Sequence, residues 1–370
     1  MNMKLALVCD DLIQFGGQER LVEALIDMFP QAPLYTTLVS KEWEKRLKAE
    51  NTDFRTSFIQ RFPLKEKLNR LYASLLLHIF SFESFDLSDY DVVLSVSSRF
   101  AHNVITQPGT RHICYMNSPG RMFWEPDSYF ENEFSQSEFM NKLVQIILTP
   151  VLAHIRVSDF AAAQRVDKFV ANSKTSQGRI KKYYSRDSEV IYPFIDVNKY
   201  HVLKAEKGNY FVVLARLVPW KQIDVAIKAC NRLKYYLKII GDGPDKKRLM
   251  RMAGETVEFT GYVSEKEKIE LLSGCKALIN TQYEDFGIVP LEAMACGKPV
   301  IAYGKGGVLE TVVDGETGAF FRQQTSNSLI EVLKDFNADS YSSEECVKQA
   351  SKFDIKFFQD KIRKLINTID

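Results

Sequence analysis

Two glutamates eight residues apart, Glu284 and Glu292, bracket the segment of this 370-residue chain best equipped for chemistry. Between them stand Phe286, Gly287, Ile288, Val289 and Pro290, within YEDFGIVPLEAMACGKPV at residues 283–300. Gly287 permits close approach of backbone to a ligand, and a helix opened around Pro290 exposes the N–H groups of Ile288 and Val289 at its positive end. Such an end seats a diphosphate. The flanking carboxylates accept hydrogen bonds from hydroxyl groups, one set from a sugar and the other from a ribose. Upstream, ARLVPWK carries Arg216 and Lys221 just beyond the apolar run 210–214, and open α/β sheets bind ligands beyond their strand ends. Two cations there neutralise a departing diphosphate.

The elements that must position these residues follow from the apolar pattern. Short runs rich in β-branched residues alternate with longer helical stretches, the signature of parallel sheets covered on both faces. The alternation occurs twice. Strands are predicted at 5–8, 92–96, 112–116 and 168–171, with a helix over 19–28, and then at 210–214, 237–240, 257–260, 277–280 and 299–302. The break falls near 192–209, where Pro193 is followed by a polar stretch without periodicity. This gives an α/β chain of two doubly wound domains, 1–195 and 205–350. A helical tail over 354–370, with an apolar stripe of Ile355, Phe358, Ile362, Leu365 and Ile366, is expected to pack back on the first domain.

Composition narrows the function. Hydrophobic residues at 45% and charged residues at 26% exclude a disordered chain or a coiled coil. With 49 Lys and Arg against 47 Asp and Glu, a nucleic-acid backbone is not the expected main partner. No stretch reaches the roughly 18 consecutive apolar residues of a membrane span, and the run 5–8 meets Asp10 and Asp11, so it reads as a first buried strand. Cys9, Cys114, Cys230, Cys275, Cys296 and Cys346 form no CxxC pair, which suits a reducing compartment and argues against structural zinc. Cationic phosphate partners without a DxD-type carboxylate pair at a strand end predict a site that uses no metal.

In order and spacing, these segments resemble the GT-B glycosyltransferases of family four, whose E-x7-E signature matches Glu284 through Glu292. FGGQER at 15–20, ANSKTSQGRI at 171–180, ARLVPWK at 215–221, IIGDGP at 239–244 and GYVSEKE at 261–267 carry the resemblance nearly end to end. It implies two Rossmann-like domains facing each other across a cleft. The nucleotide-sugar donor would lie mostly on the C-terminal domain and the acceptor would enter from the N-terminal one. It implies a retaining transfer in which the departing phosphate itself helps deprotonate the acceptor, with no cofactor beyond the donor substrate. By carry-over, Arg216, Lys221 and the Ile288 and Val289 N–H groups hold the diphosphate. Phe286 and Gly287 belong to the donor loop, Glu292 binds ribose, Glu284 binds the donor sugar, and Gly16 and Gly17 let the first loop approach.

The segment CYMNSPGRMFWE at 114–125 resembles the Y-x-H-x-P-x-R-x-x-W stretch of a mannosyltransferase branch. Asn117 stands where that branch has His, so it hydrogen-bonds a sugar but carries no proton. Arg121 and Trp124 are expected on the acceptor side. In SRFAHNV, at 98–104, the chain departs from the branch, and His102 reads as structural. Arg156 and Asp159 are expected to pair. Arg61, Lys65, Lys67 and Arg70 precede LYASLLLHIF, so residues 61–80 are a candidate peripheral membrane contact. The expected function is transfer of a hexose, mannose from GDP-mannose, to a saccharide or lipid-linked acceptor of a surface polysaccharide. It is placed in the cytoplasm or at the inner face of the cytoplasmic membrane. A UDP-sugar donor, a GT-B isomerase needing no acceptor, and a non-catalytic sugar-nucleotide binder are the alternatives.

Overall fold

Runs such as LALVC and VVLSVS are buried along their whole length and offer water no polar face, so they take central places in a parallel sheet. The computed structural model describes residues 3–126, 138–200 and 208–368, and the side chains of these except residues 70 and 138–148. It divides into two units, Met1–Ile191 with Gln359–Asp370, and Tyr192–Phe358.

In the first unit, β1 (Leu5–Cys9), β2 (Leu34–Thr36), β3 (Phe54–Thr56), β4 (Val92–Ser97), β5 (Arg111–Met116), β6 (Lys168–Ala171) and β7 (Ser188–Val190) form one sheet. Its order is β3-β2-β1-β4-β5-β6-β7, parallel throughout. Ala6, Val8, Val93, Phe100 and Phe123 lie in one of its buried clusters. In the second unit, β8 (Tyr210–Leu214), β9 (Tyr236–Ile240), β10 (Val257–Gly261), β11 (Leu278–Asn280), β12 (Val300–Tyr303) and β13 (Gly318–Phe321) form a parallel sheet in the order β10-β9-β8-β11-β12-β13. Every strand predicted from apolar runs is present. The strands absent from that prediction, LYT, FRT, SEV and GAFF, are short and carry polar residues or glycine, so no continuous apolar run marks them.

The chain passes from one unit to the other at Ile191 and Tyr192. Tyr192 stacks on Phe286 with ring centroids 5.6 Å apart, and the Ile195 N–H donates to the Phe353 carbonyl at 3.0 Å, so this segment is bound into the second unit. Part of the predicted linker, residues 201–207, lies outside the described residues. The helix Ile355–Asn367 crosses the division: Phe358 packs on Phe194, at 4.8 Å between centroids, and Gln359 onward belongs with the first unit. Among the described residues, no helix is long and apolar enough to cross a membrane.

Candidate functional site

In the second unit, the loops beyond β8, β9 and β11 hold most of the predicted donor residues. After β8 the chain makes a turn carrying Arg216, exposed, then a short 3-10 turn, Pro219–Lys221, and enters the helix Ile223–Leu233 through Gln222 in the left-handed region. Two contacts set this path. Leu217 N–H donates to the Asp242 carbonyl at 2.9 Å, and Thr281, just past β11, donates its hydroxyl to the Lys221 carbonyl at 2.8 Å. The GDGP segment makes the first possible: Gly241 has φ of 129°, and a Cβ there would stand 2.0 Å from the Ala215 carbonyl oxygen.

The Lys221 ammonium pairs with the Glu284 carboxylate, both partly shielded from water. The backbone of Glu284 is fixed separately, because its carbonyl accepts the Gly307 N–H at 2.9 Å. Gly287, with φ of 87°, then caps the helix Ile288–Ala295, whose first turn contains Ile288 and Val289. A cation, a carboxylate and a helix start thus meet in one loop cluster, an arrangement that binds an anion beside a hydroxyl-bearing group. Phe286 lies in this loop, but its ring is 3% exposed and packs on Tyr192 and Phe353. Its ring anchors the donor loop to the hydrophobic core of the second unit.

Glu292 is 2% exposed, and its Oε1 already accepts the Tyr200 hydroxyl at 2.7 Å and the Lys268 ammonium at 3.1 Å. Neither partner was singled out by sequence. Lys268 sits in the charge-rich SEKEKIE and looks solvated there. The available signal was its place four residues before Leu272 on the inward side of the helix Glu265–Gly274.

In the first unit, Gly16 caps and Gly17 opens the helix Gly17–Met28. Gln18, in its first turn, accepts hydrogen bonds through Oε1 from the Ser98 hydroxyl and, at 3.4 Å, from Asn117 Nδ2. Asn117 is thereby tied to the glycine loop by a residue the motif reading passed over. Its carbonyl also accepts the Ser176 hydroxyl at 2.5 Å, which links the ANSKTSQGRI segment to it. Beneath lies Asp10, whose Oδ1 accepts the N–H groups of Phe100 and Ala101, both at 2.9 Å, and whose Oδ2 accepts those of Ser98 and Arg99 at 2.7 and 3.0 Å. Burial alone would raise its pKa, but Arg99 and these N–H groups outweigh that and hold it below the usual carboxylate range. Glu19 shows the opposite: burial, reinforced by Asp11, pushes it up to about 7. Among the described residues, no cluster of three His, Cys, Asp or Glu side chains is arranged to hold a metal ion.

Comparison with known proteins gives this geometry a family. Residues 15–199, half of the chain, match Glycosyltransferase Family 4, and residues 195–353 match Glycosyl transferases group 1. The chain belongs to glycosyltransferase family 4. An uncharacterized glycosyltransferase of Methanocaldococcus jannaschii is 28% identical over 205 residues, which are 54% of this chain and 58% of that protein. The alpha-1,3/1,6-mannosyltransferase ALG2 of Mus musculus is 31% identical over 189 residues, 41% of this chain and 46% of that one. A GDP-mannose-dependent alpha-(1-6)-phosphatidylinositol monomannoside mannosyltransferase of Mycolicibacterium smegmatis is 35% identical over 150 residues, 35% and 38% of the two chains. The chain spans about half the length of the curated relatives it matches. In fold it is similar to Anabaena Alr3699/HepE, solved with UDP-glucose, at a TM-score of 0.68 and 20% identity over 100% of both chains. Two parallel-sheet units and this likeness make the fold GT-B.

Within this family-4 chain, the first unit corrects one expectation. Arg156 and Asp159 are not each other's partners: Arg156 Nε donates to the Phe123 carbonyl at 2.5 Å, whereas Asp159 takes the Trp124 indole N–H at 2.6 Å and stands 3.1 Å from His102 Nε2. Both Asp159 and His102 are buried. Trp124 donates its indole N–H to Asp159, and its ring stacks on that of Tyr183 at 5.0 Å. Arg121 is half-buried and reaches Glu125 at 3.3 Å, a carboxylate it shares with Arg179 at 2.8 Å.

Proposed function

We propose that this protein is a retaining glycosyltransferase that moves a hexose, mannose from GDP-mannose, to a saccharide or lipid-linked acceptor of a surface polysaccharide. The observation that carries the proposal is the meeting of Lys221, Glu284 and the start of the helix Ile288–Ala295 beyond the strand ends of the second unit. On donor binding, the diphosphate takes Lys221 and Arg216 and the first N–H groups of that helix, and Glu284, released from Lys221, accepts hydrogen bonds from the sugar hydroxyls. As the glycosidic bond breaks, negative charge grows on the leaving phosphate, where these donors lie, and one of its oxygens takes the acceptor proton. These cations supply the positive charge, so no metal is needed. Asn117, a hydrogen-bonding residue without a titrating proton, fits the sugar side of such a reaction and not an acid or base role.

Mannose is supported by the resemblance of residues 114–125 and by relatives named as mannosyltransferases. A UDP-sugar is the second reading, favoured by structural relatives solved with UDP or UDP-glucose. A thermal-shift panel of GDP, UDP, GDP-mannose and UDP-glucose, with EDTA or magnesium, decides between them. A ligand at 100 times its Kd stabilises by about 2.7 kcal/mol. GDP-mannose is expected to stabilise equally in EDTA and magnesium, a uridine preference replaces the donor, and no shift with any nucleotide overturns the proposal.

A peripheral membrane contact is supported by Leu64, Leu71, Leu75 and Phe80, exposed at 62%, 51%, 56% and 56%, beside exposed Arg61 and Lys67. The side chain of Arg70 lies outside those described. Six buried free cysteines suit the reducing cytoplasmic side of that membrane. Salt-sensitive co-sedimentation with phosphatidylserine liposomes is expected, and equal recovery with neutral liposomes removes the contact.

A further inference from the structure

The helix Glu265–Gly274 turns one charge inward: Lys268 is 5% exposed, and its Nζ stands 3.1 Å from Glu292 Oε1, 3.3 Å from the Tyr200 hydroxyl and 2.8 Å from Glu265 Oε2. Glu265 is largely exposed and contributes little through solvent. The inward partners are different. Tyr200 donates its hydroxyl to the same Glu292 oxygen at 2.7 Å, so two donors from two separate elements hold one oxygen of one carboxylate. A buried carboxylate without a cation is costly in its charged form, and one held at a single point still turns about its side-chain bonds. Here Lys268 supplies the cation, and Tyr200, from a second direction, restrains the oxygen that both donors share.

We infer that Lys268 and Tyr200 are positioning residues for ribose recognition, holding Glu292 ionised and in one rotamer so that it accepts hydrogen bonds from the vicinal hydroxyls of a nucleoside diphosphate. The inference rests on the proposed role of Glu292 in the donor site. Lys268 needs no contact with the nucleotide. Its effect passes through the carboxylate, whose hydrogen bonds to hydroxyls are charge-assisted and stronger than neutral ones.

Isothermal titration with GDP and UDP, each against its 2′,3′-dideoxy counterpart, tests this on the full chain. Wild type is expected to prefer the tighter-binding ribonucleotide over its dideoxy form by about tenfold or more. Lys268→Met is expected to erase most of that preference while leaving dideoxy affinity within about twofold. Lys268→Arg restores it in large part, and Tyr200→Phe, which removes only a hydroxyl, loses a fraction. Should Lys268→Met fail to fold, Tyr200→Phe alone decides. A variant that lowers both affinities equally, or that keeps the full ribose preference, overturns the inference and leaves Glu292 as proposed. A wild type that does not distinguish ribose from dideoxyribose, or binds neither nucleotide, overturns the reading of Glu292 itself.

Discussion

Both units concentrate carboxylates beyond the ends of their sheets, but they neutralise them differently. In the first unit, Asp10 is satisfied by four backbone N–H groups of residues 98–101, and Asp11 by Arg99 and, at 2.7 Å, by Asn69. In the second, Glu284 and Glu292 each meet a lysine side chain. A carboxylate that caps a turn of backbone cannot leave without unmaking the turn. One that meets the end of a flexible lysine at a partly exposed site is exchangeable, because an incoming phosphate can take its place. The first arrangement builds a loop, whereas in the second only the partly exposed Lys221–Glu284 pair leaves a cation that an anionic ligand can claim, Lys268 being buried with Glu292.

Four measurements break or sharpen this contrast. The largest expected effect is on folding: Asp10→Ala strands four N–H groups and should cost roughly 3–5 kcal/mol in urea denaturation. A loss below about 1 kcal/mol would remove the loop-building role. In wild type, the lowered pKa of Asp10 makes its contribution present above the unfolded value near 3.8 and lost as pH falls through the lower folded value. Lys221→Ala should instead leave stability nearly untouched and lower turnover about 100-fold, so a near-wild-type rate would exclude Lys221 from stabilising the leaving group.

Glu19 offers the next step down. Its pKa is raised to about 7, so the folded state holds its proton longer than the unfolded chain does, and stability declines from about pH 4.5 to about pH 7. Glu19→Gln should flatten this decline and add on the order of 2 kcal/mol at pH 8, seen as a higher denaturation midpoint there than at pH 4 relative to wild type. Smallest is Glu284→Gln, which frees Lys221 from its competitor. Nucleoside diphosphate should bind roughly threefold tighter at low salt even as turnover falls, and unchanged or weaker binding would mean the pair is not exchanged on binding.

The two-unit α/β architecture and the donor loop were legible because both are local. Strand runs such as 168–171 and 210–214 announce themselves by continuous apolar character, and Gly287 before Ile288 marks a helix start whatever lies elsewhere in the chain. What the sequence by itself determined, then, is the order of elements, the family, and the place of Arg216, Lys221, Glu284 and Glu292 relative to strand ends. Only the tertiary structure decided their partners. Lys268 meets Glu292 across 24 residues, Trp124 meets Asp159 across 35, and Asn117 meets Gln18 across 99. Each pairing depends on which strands lie side by side and which helix face is buried. An Arg three residues before an Asp invites a local pair, yet Asp159 meets the Trp124 indole and buried His102, which the fold rather than the chain order sets beside it.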